Sequence, residues 1–158
     1  MNRVFDWDSA QWDHASVGSV NGFAWDETDG EITIMEYWDN IVSKPPGQVV
    51  IPASIGKCPV VRIGFPEPAI GVFGDRSAAS VVVPEGVRAI GGKAFSGCKG
   101  LEYVVIPCSV TEIEPSAFGQ SQNQPYFHLR CFAGSYAEQF AKAHGIPYLV
   151  GNQIWQRK

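Results

Sequence analysis

The sequence predicts a right-handed solenoid of stacked coils, mostly β with short turns and 3-10 segments. A β-hairpin is expected to close one end and a helix–strand unit the other. Three observations carry that prediction. The stretch VVVPEGVRAIGGKAF at position 81 is written again as VVIPCSVTEIEPSAF at position 104, 23 residues further on. The apolar residues of both copies keep the same columns. The segments on either side break the pattern in ways suited to covering the ends of a stack, as repeat architectures require. A chain of 158 residues is one ordinary domain, long enough to bury about 68–70% of its unfolded surface. Its expected division is an N-terminal unit over 1–48, about three coils over 49–131 and a C-terminal unit over 132–158.

Aligning Val81 with Val104 puts Val83 over Ile106, Pro84 over Pro107, Val87 over Val110 and Ile90 over Ile113. The pair Ala94-Phe95 then falls on Ala117-Phe118. One more step of 23 reaches Phe127, with Leu129 under Ile106. A looser copy begins at Val49 with VVIPASI, continues through Ile63 and Val72-Phe73, and is 32 residues long. Its extra length lies in two insertions, around GKCPV and around GFPEPAIG. Each unit has a short strand whose residues alternate in direction, ended by a proline that cannot donate to a sheet ladder. One coil cannot bury its own apolar side. Coils stacked at about 4.8 Å share a continuous core. Ile63, Ile90 and Ile113 are expected in one buried column, and Phe73, Phe95 and Phe118 in another.

The two ends are legible from local chemistry. FAWDETDGEITIMEYW reads as a hairpin over 22–37, because Asp29-Gly30 is a two-residue turn signal flanked by apolar alternation. Near the C-terminus, Ser135 followed by Glu138 is a capping box, and Tyr136, Ala137, Phe140 and Ala141 form an inward stripe. Gly145 supplies the helix stop, so a helix is expected over 136–144 and a strand near 147–150. His144 at that helix end is read as helix-terminus chemistry.

With 12 basic and 16 acidic residues and no basic run, a nucleic-acid partner is not expected. No stretch approaches the roughly 20 apolar residues that span a bilayer, so membrane insertion is not expected either. The opening MNRVFDWDSAQWDHASVG lacks a cationic start followed by an apolar core, so no signal peptide is read there. Either the chain is cytosolic or a leader has been removed.

The usual catalytic patterns fail on spacing. Gly92-Lys93 is followed by Ala94 and preceded by Val87 where a phosphate loop needs glycine. His14, His128 and His144 form no H-x-x-x-H pair, no G-x-S-x-G elbow exists, and none of the four cysteines makes a C-x-x-C. No catalytic residue, metal ligand or cofactor is expected, and DETDGE lacks the spacing of a calcium loop. Cys108 and Cys131 are 23 apart and so share a column, within reach of a disulfide or as stacked free thiols.

Alternation sends Val50, Val82, Val105 and His128 outward in one column, with Tyr103 and Tyr126 in the next. Such a strip marks a partner-binding face, or it follows β-propensity alone with a segment such as 1–20 lying over it.

The spacing L-x-x-V-x-I-P, from Leu101 through Pro107, lies in the leucine-rich-repeat range. V-x-I-P-x-S-V-x-x-I-x-x-x-A-F, from Val104 to Phe118, resembles the BspA-like family of bacterial leucine-rich repeats. LRCFAGSYAEQFAKAHGIPYLV resembles that family's terminal unit, and IPASIGKCPVVRIG its first coil. The resemblance covers about residues 49–150 and departs at QSQNQPYF and GFPEPAIG. It implies a surface or secreted module that contacts host or neighbouring-cell components. The expected function is therefore a non-enzymatic, monomeric module that binds a protein partner through its strand face. Two other readings stand beside it: carbohydrate binding by Trp7, Trp12, Trp25 and Trp38, and a structural spacer.

Overall fold

A computed structural model describes residues 22–37, 47–65, 71–74 and 78–151. The chain begins with the hairpin β1 (Phe23–Thr28) and β2 (Glu31–Tyr37). Its turn places Asp29 at φ 53° and Gly30 at φ 79°, the left-handed pair that a tight two-residue connection demands. Short strands follow: β3 (Gln48–Val50), β4 (Ser54–Ile55), β5 (Cys58–Ile63), β6 (Ser80–Val82), β7 (Ala89–Ile90), β8 (Tyr103–Val105) and β9 (Glu112–Ile113). A 3-10 helix over Gly119–Asn123 leads to β10 (His128–Phe132), helix α1 (Tyr136–His144) and β11 (Tyr148–Gly151).

From β5 to β10 the chain alternates between two sheets. One has the order β11-β10-β8-β6-β3, all parallel. The other runs β1-β2-β5-β7-β9, parallel from β2 onward, with β1 antiparallel at its edge. The GKCPV insertion is the turn and first half of β5, folded back on β4 through Ser54–Pro59 and Ile55–Cys58. Most of GFPEPAIG, residues 66–70, lies outside the described residues.

Between the sheets the repeated columns become ladders. Ile63, Ile90 and Ile113 pair in register, and Ile34 of the hairpin extends the same row. Phe73, Phe95 and Phe118 stack with ring centroids 5.1 and 5.6 Å apart. Tyr37 and Phe23 continue that stack into the hairpin, and Phe127 and Phe140 close it at the other end. All seven aromatic rings are buried.

One register differs from the expectation. Leu129 pairs with Val104, not with Ile106. Phe118 to Leu129 spans 11 positions where Phe95 to Val104 spans nine, so the third return is two residues longer. The 3-10 turn takes up that length. Ser121 donates its hydroxyl to the Phe95 carbonyl at 2.6 Å, and the Gln124 side-chain amide joins Gly100 N–H and the Cys98 carbonyl, each at 3.2 Å.

Helix α1 starts as its sequence dictates: Ser135 Oγ accepts from Glu138 N–H at 3.2 Å. The Glu138 carboxylate reaches Gly134 N–H at 2.9 Å, one residue before the usual capping-box partner. Gly145 ends the helix at φ 67°. Ala137, Phe140 and Ala141 are buried, at the i, i+3, i+4 spacing of one face. Tyr136, expected in that stripe, is 37% exposed because it sits one residue off the face.

Candidate interaction face

The outer surface of the β3-β6-β8-β10-β11 sheet is built from two columns. Gln48, Ser80, Tyr103 and His128 lie in register in one; Val50, Val82, Val105, Arg130 and Leu149 lie in the other. The two-residue lengthening of the third return is even, so residues expected to face outward still do. It changes their partners. His128 stands beside Tyr103, not Val105, and Tyr126 falls in the lead-in to β10, outside the ladder.

Exposure along the face is uneven. Val50 is 47% exposed and Tyr126 78%, while Tyr103 and His128 are half-buried. Val82 and Val105, expected to be exposed, are buried at 7% and 1%. Part of their cover is the ladder itself, since each is flanked at strand spacing by in-register neighbours. The face is thus open at its two edges, at β3 and toward β10 and β11, where Leu149 is 51% exposed, and closed in the middle. Period-23 reasoning missed Arg130 and Leu149. The signal for Arg130 was its place two residues after His128, hence on the same side of the strand.

Tyr103, His128 and Arg130 form one ledge. The Arg130 guanidinium lies over the Tyr103 ring, 3.6 Å from its centroid, and its Nε donates to His128 Nε2 at 3.2 Å. The Tyr103 and His128 rings are 5.4 Å apart, and Gln48 Nε2 donates to the Tyr103 hydroxyl at 3.4 Å. A stacked guanidinium and two aromatic rings offer flat apolar area with directed donors, the composition favoured where protein surfaces meet.

The opposite sheet presents a charged surface. Arg88 pairs with Glu31, and Arg62 approaches Glu112 at 3.8 Å, each pair spanning an intervening strand. With Ala89 and Thr111 they line a shallow depression of about 330 Å³. Such surface pairs contribute about 0–1 kcal/mol each and satisfy one another.

The remaining candidates disperse. Cys108 is exposed and Cys131 buried, and both are free thiols. The same two-residue offset takes them out of a common column, so no disulfide joins them. Burial, followed by the nearby Glu138 and Cys108, pushes the Cys131 thiol up to about 11. His144 Nδ1 lies 3.0 Å from the Phe140 carbonyl and its ring stacks on Phe140, which keeps it at the helix end. Trp25 is buried in the hairpin and offers no platform for a sugar, while Trp7, Trp12 and Trp38 lie outside the described residues. Among the described residues no group of three His, Cys, Asp or Glu side chains is placed to hold a metal, and no helix is long and apolar enough to cross a membrane.

Known proteins place this architecture. The family model described as the BspA type leucine rich repeat region, of six copies, matches residues 70–140. The crystal structure of a leucine-rich repeat protein from Bacteroides capillosus superposes with a TM-score of 0.50 at 23% identity, covering 71% of this chain and 98% of that one. No curated protein matches the chain. Repeats of this type generally mediate protein interactions. The repeated core of this chain, with its paired isoleucine and phenylalanine ladders, matches the leucine-rich repeat region of the BspA type over residues 70–140.

Proposed function

We propose that this chain is a non-enzymatic interaction module that binds a protein partner at a cell surface or outside the cell. In this reading the coils form a right-handed solenoid, and the hairpin and the helix–strand unit serve as its caps. The observation that carries the reading is the ledge of Tyr103, His128 and Arg130, bordered by the exposed Tyr126 and Leu149. Large aromatic and guanidinium groups are the residues that dominate binding energy at protein interfaces. The interior of a repeat stack fixes where its coils lie, and the outward residues of its strands are left to choose a partner. Val50, Val82 and Val105 complete the same face, with the two buried valines acting as its floor.

The test is a comparison of three proteins on immobilised extracellular-matrix and cell-surface fractions. Wild type should retain a partner; Tyr126→Asp/Leu149→Asp should lose it. A control on the opposite sheet, Arg62→Gln/Glu112→Gln, should keep it. If the first variant retains what wild type retains, the strand face is not the binding site.

A further inference from the structure

β11 is an end strand of its sheet, and among the described residues no strand pairs with its outer side. Parallel pairing turns the backbone groups of every second residue toward a given neighbour. Leu129 N–H donates to the Pro147 carbonyl at 2.9 Å, so Leu149 and Gly151 are the residues of β11 that bond inward to β10. The Cys131 thiol approaches the Leu149 carbonyl from that same side, at 3.8 Å. The N–H and C=O groups of Tyr148 and Val150 therefore point away from the sheet. Just before them, Ile146 N–H is engaged by the Ala141 carbonyl at 2.9 Å. The open edge is thus short and centred on Leu149.

Edge strands are ordinarily blunted by a charge, a proline or a bulge. Tyr148–Gly151 has none of these. Leu149 is 51% exposed on the outer side of the sheet, and Val150 is 44% exposed on the inner side, where Tyr148 packs against the core. Both sides of this edge are apolar and await a neighbour.

We infer that β11 pairs antiparallel with β11 of a second copy of this chain, about a two-fold axis between the two Leu149 residues. Tyr148 of each copy then stands opposite Val150 of the other, and each such pair exchanges two N–H···O bonds. Every outward group of both edges is satisfied. The side chains match as well. Leu149 meets its own counterpart on the outer side, and the aromatic–β-branched pair of Tyr148 and Val150 forms twice beneath it. No charge comes into contact with its like. The two β10 strands lie three strand spacings apart, about 14 Å, so the Arg130 guanidiniums are separated by more than the screening length of about 8 Å at physiological salt. Head-to-tail addition of another copy's β3 would lack this closure and build an open chain of copies. The short contact makes the dimer weak and reversible.

A two-fold axis perpendicular to the sheet keeps both outer faces on one side. Two five-stranded sheets become one, and each carries its ledge of Tyr103, His128 and Arg130. This last step rests on the protein-binding reading: the dimer presents the face twice and fits a partner with a repeated or two-fold symmetric surface.

Sedimentation equilibrium of the full chain, from about 10 µM to 1 mM, should find a reversible monomer–dimer equilibrium. Leu149→Lys sets like charges opposite each other, and Val150→Pro removes an outward N–H without touching the β10 ladder. Each should weaken the dimer by about tenfold or more, with circular dichroism confirming that both variants fold. Cross-linking in a Cys58→Ser/Cys108→Ser background reads the register. Leu149→Cys places two thiols in a non-hydrogen-bonded pair, about 4.5 Å between Cα atoms and within disulfide reach, so oxidised glutathione should join the copies. Val150→Cys should not join them, because its two thiols stand two residues out of step. A wild type that stays monomeric, as it would if residues 152–158 filled the edge, overturns the proposal. So does a dimer indifferent to both Leu149→Lys and Val150→Pro, or one that cross-links through Val150→Cys in preference to Leu149→Cys. None of these measurements needs a partner, so failure of the dimer is distinguishable from failure of the interaction face.

Discussion

Replacing Gly91 by alanine tests how closely the coils meet. Gly91 follows Ile90 as Glu114 follows Ile113, so the next coil accommodates a full side chain at the equivalent place. Gly91 is not in the left-handed region, and its backbone alone permits alanine. The obstacle is another stretch of chain. A Cβ built there lies 2.6 Å from the Phe65 carbonyl oxygen and 2.7 Å from the Gly64 carbonyl carbon, both backbone atoms. Neither can swing aside as a side-chain tip would. Overpacking of this kind costs about 1–3 kcal/mol, against about 0.4–1 kcal/mol gained by stiffening the unfolded chain. The net expected loss is about 1.3 kcal/mol, or roughly 3–5 °C in Tm for a chain of this size. Gly47 is the control, since nothing lies within 4 Å of its Cβ position. Gly47→Ala should be neutral or stabilise by up to about 1 kcal/mol. Urea unfolding followed by circular dichroism reads both. A Gly91→Ala protein as stable as wild type would show that Gly64 and Phe65 do not cross this coil as described.

Phe95 sits fully buried between Phe73 and Phe118, so Phe95→Ala should cost about 3–5 kcal/mol. Phe95→Leu should cost clearly less, and equal losses in urea unfolding would deny the stacked geometry. Cys131 is held above its ordinary value of 9.0, near 11, so the folded chain keeps this proton more tightly than the unfolded chain. Its stabilising contribution is therefore intact below about pH 9 and declines as pH rises toward 11. Urea midpoints should fall over that window less steeply in Cys131→Ala. Cys108 should also react with a thiol reagent well before Cys131, and simultaneous labelling would contradict the burial.

The interior was legible because burial repeats. Ile63, Ile90, Ile113 and the three phenylalanines recur at matching places in their copies, and a shared column is the only way short coils bury them. The turn at Asp29-Gly30 and the stop at Gly145 were legible because few residues tolerate those angles. The register at β10 was not. A fixed period carries forward only while each return keeps its length, and the return through Gln124 is held by side-chain bonds that no apolar pattern announces. The exposure of Val82 and Val105 failed for a different reason. Alternation tells which way a side chain points, and only packing tells what lies beside it.

The two surfaces of the strand sheet obey different constraints, and under the proposed interaction role that difference would locate the specificity. Inward, Val49, Val81, Val104 and Leu129 are all aliphatic, since each must fill the same space against its neighbours. Outward, the row opens with Val50, Val82 and Val105 and then turns to Arg130, while its companion row passes from Ser80 to Tyr103 to His128. Nothing in the stacking of coils asks for that change. An arginine laid on a tyrosine beside a histidine gives up the side-chain freedom that an aliphatic neighbour would not have to lose. A valine at position 130 would continue the row at no cost to the ladder. The last repeat strand thus holds polar geometry that its own ladder does not require, which is what the proposed partner-binding role would account for.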